Sequence, residues 1–153
     1  MIDDPQILVT SVRLALAEER DSGVVHCAVE RRVARLPHEA IAVLDALAGS
    51  DPGRPARHDW DEYDPEAAGR LLRHLLWRGS ADGFPAMPEH RAGQLAAAFL
   101  EAFGPRATCC SNVRPRWSAD RLIHRPMFQA TFDAGLIVAN DEWVGLLWIV
   151  DDY

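Results

Sequence analysis

The sequence predicts an α+β fold: about four N-terminal helices, all within the first 104 residues, packed on a small C-terminal antiparallel sheet that contains a 128–139/142–150 hairpin. Three observations point there. Apolar residues recur with a helical period through the first two thirds of the chain, in runs that open at Pro and close at Gly. The last quarter is instead rich in β-branched and aromatic residues and breaks at Asn140-Asp141. The length of 153 residues suits one core, so residues 1–153 are read as a single domain.

The clearest helix opens at Asp64, an N-cap, with Pro65 in its first turn. Ala68, Leu71, Leu72, Leu75 and Leu76 follow on one face before Gly79 ends it. The same grammar recurs from Pro88, where Ala92, Leu95, Ala96, Phe99, Leu100 and Phe103 share a face and Gly104-Pro105 stops the run. A further run from Pro37 to Ala48 ends at Gly49, and Pro5 to about Arg20 forms a first helix through Leu8, Val12, Ala15 and Leu16. Residues 24–36 fit either a strand, by the β-branched content of Val24 to Val29, or a helical face through Val25, Val29, Val33 and Leu36. The stretch from Gly49 to Asp64 reads as a long loop, and Ala107 to Val113 as a short strand.

With Asn140-Asp141 as a two-residue turn, 138 faces 143, 136 faces 145, 133 faces 148 and 131 faces 150. One face then carries Phe132, Ala134, Leu136 and Val138 with Trp143, Leu147 and Ile149. The other carries Thr131, Asp133, Gly135 and Ile137 with Val144, Leu146, Trp148 and Val150. Both are apolar, so the second face needs a cover of its own from helices, a partner or a ligand.

Composition narrows the chemistry. Sixteen basic residues, all arginine, stand against 23 acidic ones, a formal charge of -7 that argues against binding nucleic acid through its phosphates and suits a basic protein partner. No run is apolar enough to span a membrane, and the start Met1-Ile2-Asp3-Asp4-Pro5 lacks the basic opening of a secretory signal, so a cytoplasmic location is expected. Cys27, Cys109 and Cys110 form an odd set and read as reduced thiols. No metal site and no cofactor are expected, because no His or Cys pair has ligand spacing and no phosphate loop or dinucleotide fingerprint occurs. Oligomeric state leaves no signature.

Two groups of residues stand out. Asp59, Asp61 and Glu62 surround Trp60 and Tyr63, combining electrostatic steering with rigid aromatic contact area; together with Asp151 and Asp152 they are the expected partner-binding residues. Asp133 sits among apolar neighbours and needs a partner, for which an arginine of the 114–125 connection is available. That connection belongs to a segment, Arg106 to Arg125, with five arginines and one acid, whereas the residues after Pro126 hold five acids and no base. Cys110, His124 and Asp133 have the residue types of a thiol nucleophile, a base and an orienting group, and Asp133 could itself serve as a general base or acid in a cleft. The alternative reading is therefore a small hydrolase or transferase with these residues in a cleft.

The closing segments Thr131-Phe132-Asp133-Ala134-Gly135 and Gly145-Leu146-Leu147-Trp148-Ile149-Val150-Asp151-Asp152, with the size and acidity of the chain, resemble immunity proteins of bacterial polymorphic toxin systems. The resemblance implies a protein without an active site that neutralises a cognate toxin, often a basic nuclease, by covering its catalytic or substrate-binding surface. It assigns no individual binding residue.

Overall fold

A computed structural model describes residues 4–31, 61–80, 82–115 and 132–151. Among them are helices α1 (Pro5–Glu19), α2 (Pro65–Arg78) and α3 (Glu89–Glu101), and strands β1 (Val24–Arg31), β2 (Asp61–Tyr63), β3 (Thr108–Ser111), β4 (Phe132–Ala139) and β5 (Trp143–Asp151). The strands form one antiparallel sheet in the order β1-β5-β4-β3-β2.

This corrects the expected architecture of four N-terminal helices followed by a C-terminal sheet. Three helices are present among the described residues, and they alternate with strands, since β1 and β2 both precede α2. The expected helix over 37–48 lies outside the described residues, as do residues 32–36. Residues 24–31 are a strand because their partner exists: all eight pair without a bulge to β5, from Val24 opposite Val150 to Arg31 opposite Trp143. A helix over the same residues would leave the outer edge of β5 unpaired, a cost that local propensity does not offset.

The two best-punctuated helices form as their sequences predict. Asp64 accepts from the Ala67 amide at 2.8 Å, Pro65 occupies the first turn, and Ala68, Leu71, Leu72, Leu75 and Leu76 are fully buried. Helix α3 buries Ala92, Leu95, Ala96 and Phe99, and Gly104 follows at φ +80°, a conformation open to glycine at little cost. In α1 the buried stripe is Pro5, Val9, Val12 and Leu16, capped by Asp4, which accepts from the Gln6 amide at 2.9 Å.

All three helices contribute to a core against the sheet face that carries Cys27, Tyr63, Cys109, Ala134, Leu136, Val138, Leu147 and Ile149. Gly145 lies on this face directly beneath the Phe103 ring, in space that a Cβ would take. The opposite face is buried as well: Ile137, Leu146 and Trp148 have no accessible surface, and this chain alone supplies that burial.

The hairpin forms, with its turn displaced by one residue. Asp133 faces Val150, Gly135 faces Trp148 and Ala139 faces Val144, two residues along β5 from the expected partners. The cause is Asn140. Its side-chain oxygen accepts from the amides of Glu142 (2.9 Å) and Trp143 (2.8 Å), so Asn140 precedes the turn and Asp141-Glu142 occupy its tip. A shift of two preserves which side chains share a face, so the two apolar faces are those expected.

One buried cation joins the helical layer to the sheet. The Arg20 guanidinium donates from Nε to Leu76 O (3.0 Å) and from Nη2 to Leu75 O (3.3 Å) and Gly79 O, while Nη1 donates to Ser22 O. It thereby takes up the carbonyls of Leu76 and Gly79 at the end of α2, shares Leu75 O with the Gly79 amide, and places positive charge at the negative end of the helix dipole. Burial pushes Arg20 down to about 10, with Asp151 opposing the shift, so it stays charged at neutral pH. Arg20→Met should therefore lower unfolding free energy by about 3 kcal/mol in denaturant titration, since it strands several buried carbonyls. Arg20→Lys should recover only part of that, because one ammonium cannot reproduce the planar fork.

Candidate functional site

The acidic aromatic segment ends in the structure as β2, the outermost strand on its side of the sheet. Asp61 pairs with Ser111, Glu62 with Cys110 and Tyr63 with Cys109. Alternation then assigns different roles to neighbours. Tyr63 turns inward, is 8% exposed, and donates its hydroxyl to Val113 O at 2.7 Å, with burial raising its phenol above the usual range. Glu62 is exposed. Asp61 is half-buried, and its Oδ2, which makes no hydrogen bond, lies 3.6 Å from Arg114 Nη1. Of the expected contact residues here, Glu62 thus offers an open carboxylate, Asp61 one partly neutralised by an arginine, and Tyr63 no contact surface. Asp59 and Trp60 lie outside the described residues.

Asp151 is the last residue of β5, an interior strand between β1 and β4. Its Oδ2 accepts from Ser22 Oγ at 3.1 Å, and its charge acts on Arg20, so it helps close the sheet onto the helical layer. Asp152 lies outside the described residues.

The residues of the enzymatic alternative are not brought together where they can be placed. Cys110 faces Ile137, four positions along β4 from Asp133, a separation of about 13 Å at the rise of a strand. His124 lies outside the described residues. Burial pushes the Cys110 thiol up to about 12, with the charges of Cys109 and Glu62 adding to the effect, so it is protonated at neutral pH and a poor nucleophile.

Asp133 has no accessible surface, and its Oδ1 accepts from Trp148 Nε1 at 3.4 Å. The indole reaches it because Gly135 leaves room: a Cβ there would come within 2.5 Å of Trp148 Cε3. Around them is a polar bracket that the sequence gave no reason to single out. Where β3 ends at Ser111, the Asn112 side chain continues its pairing role, donating to Asp133 O (3.0 Å) and accepting from the Gly135 amide (3.3 Å). Ser111 Oγ donates to Gly135 O and accepts from the Val113 amide (3.0 Å). Asn112 and Ser111 are fully buried. Their signal in the sequence is faint, two polar residues after a Cys pair, and their role exists only once β4 lies beside them. The 114–125 arginines beyond Arg114 lie outside the described residues.

An open groove of about 550 Å³ runs past the β4-β5 turn, where Glu101, Asp141 and Glu142 flank Phe103 and Trp143. Arg31 lies 4.5 Å from the Trp143 ring centroid and 3.4 Å from Glu142, so one cation serves both. Among the described residues no group of three or more His, Cys, Asp or Glu is placed to hold a metal ion, and no helix is long and apolar enough to cross a membrane.

Two expectations follow. Asp133→Ala should cost about 1–3 kcal/mol of stability, because it leaves the Trp148 indole N–H buried without this acceptor; thermal or denaturant unfolding checks it. Burial also raises Cys27 to about 12 and Cys109 to about 11 from an ordinary 9.0. A thiol raised in the folded state contributes stability that is fully present below pH 9 and is lost as pH rises through 11 to 12. Unfolding free energy should therefore decline from about pH 9 upward, and Ellman's reagent at pH 8 should label no thiol in the native protein and all three after denaturation.

No family model matches this chain, and neither the curated proteins nor the solved structures contain a match to it.

Proposed function

We propose that this protein is a small acidic cytoplasmic inhibitor that neutralises a cognate basic, nuclease-type bacterial toxin by covering its active surface. The observation that carries the reading is the acidic segment at the sheet edge. An exposed Glu62 and a half-buried Asp61 lie on β2, at the end of a run that begins at Asp59, in a chain of net charge -7. Carboxylates grouped at an edge steer a cationic partner and accept its guanidinium or ammonium groups on arrival. The resemblance of the closing segments to immunity proteins supports the same assignment. The enzymatic alternative loses ground because the Asp133 carboxylate has no path to solvent and Cys110 is remote from it.

The direct experiment is co-purification at low salt from the native host, identification of a basic nuclease among the captured proteins, and titration of its activity with this protein. Stoichiometric loss of nuclease activity supports the reading, and full activity at saturation removes it. Within the complex, charge reversal at Asp59, Asp61 and Glu62 should slow association and flatten its salt dependence. Trp60→Ala should speed dissociation by about 2 kcal/mol if the indole anchors the interface. The melting temperature of the free protein should hardly move on reversal of the exposed Glu62, because exposed charges contribute at most about 1 kcal/mol each, whereas reversal of the half-buried Asp61 beside Arg114 should lower it.

A further inference from the structure

The groove of about 550 Å³ between the end of α3 and the β4-β5 turn carries charge of one sign on both walls. Glu101 stands on the helix wall, Asp141 and Glu142 on the turn wall, and all three are exposed. Phe103 and Trp143 supply the apolar part of the lining. The helix wall is also the C-terminal end of α3, where the helix dipole is negative. No cation lines the groove among the described residues.

The walls are tied to each other. Asn140 Nδ2 donates to Phe103 O at 3.2 Å while its Oδ1 accepts from the Glu142 and Trp143 amides, so one side chain braces the turn and joins it to the chain after α3. A groove fixed in this way loses little freedom when it is filled.

Its three acids differ in their engagement. Glu142 lies 3.4 Å from Arg31, whose guanidinium is also 4.5 Å from the Trp143 ring centroid. Glu101 and Asp141 form no ion pair with a described residue. The Arg31 contact displays the chemistry that suits this corner: a flat cation beside a turn carboxylate and against an indole. A metal ion suits it less, because among the described residues no three acids are placed to share one. An arginine side chain matches both parts of the lining, since its methylene stem covers aromatic surface and its five N–H donors serve carboxylates on either wall. Free arginine would bring its own carboxylate against three others, which leaves arginine carried by a polypeptide.

We infer that this groove docks an arginine side chain of a cationic polypeptide, with Glu101 and Asp141 as the carboxylates that receive it. These acids are not those of β2, so the site stands or falls separately from the toxin-inhibitor reading.

Two-dimensional NMR of the isotope-labelled full chain at low salt, titrated with a capped peptide of alternating glycine and arginine, tests it. Saturable shifts are expected at the amides of 101–104 and 140–143. Citrulline in place of arginine keeps the shape and removes the charge, and should weaken binding by about fivefold or more, as should free arginine in place of the peptide. Glu101→Gln/Asp141→Asn should cause a loss of the same size, whereas Glu89→Gln, at the far end of α3, should leave the affinity unchanged. The replaced carboxylates are exposed, so melting temperatures should stay near wild type. Four outcomes overturn the inference: shifts absent from the groove or spread evenly over the acidic surface, equal binding of the citrulline peptide, free arginine bound as tightly as the peptide, or an affinity that ignores the double variant. The nuclease titration and this peptide titration can fail independently.

Discussion

The Arg20 guanidinium is the contact on which the arrangement of the layers depends. It is supplied by the residue that ends α1, it closes α2 by donating to its last carbonyls, and it holds Ser22 in the turn that launches β1. Two consecutive elements and a third more than fifty residues away are thus tied by one side chain whose planar fork suits several carbonyls at once. Its charge is tolerable in the interior because those dipoles and Asp151 replace the water it loses. Nearby, the Asp21 amide donates to Ala86 O and the Ala86 amide to Trp77 O, so the loop after α2 is bound to the same junction. The bidentate pair of Arg91 with Glu19, at 2.8 and 2.9 Å, adds a tie between α3 and the end of α1. Its partial exposure makes it secondary to Arg20.

A sheet buried on both faces imposes the second constraint, that large side chains must find space without splitting the ladder. Two glycines provide it, one on each face. Gly145 admits the Phe103 ring from the helical side, and Gly135 admits the Trp148 indole on the other, where the same indole supplies a hydrogen bond to Asp133. Each glycine weakens its strand intrinsically, and the aromatic ring that occupies the vacated space compensates by burying apolar area. Asp133 thus has a role in packing: with no accessible surface of its own, it accepts from the indole N–H that Gly135 lets approach.

What could be read from the sequence was what local patterns specify. Helix α2 was legible to its cap and terminator, because Asp64, Pro65 and Gly79 act within one turn of their own positions and the leucine stripe has one period. The face assignment of the hairpin was legible for the same reason. Its register was not, because it hinged on whether Asn140 lies in the turn or braces it, and that depends on two backbone amides presented by β5. β1 and β2 needed partners far away in the chain. Val24 to Val29 fits two structures until β5 is present, and Asp61-Glu62-Tyr63 has no strand pattern of its own beyond an inward tyrosine. For the candidate site, the acidic edge was visible as composition, whereas the burial of Tyr63 and the engagement of Asp61 and Asp151 follow from pairing and ion contacts that no local spacing encodes.

The two edges of the sheet divide along the same physical line. β2 is three residues long and carries two carboxylates, which is how natural sheets discourage another strand from pairing while leaving charge available to a partner that approaches side chain first. Among the described residues β1 is the outermost strand on the other side, and it is long, regular and nearly uncharged over its first six residues. A charged edge selects by electrostatic complementarity and acts on encounter rates; a bare edge selects by geometry, since only an extended strand satisfies its row of donors and acceptors.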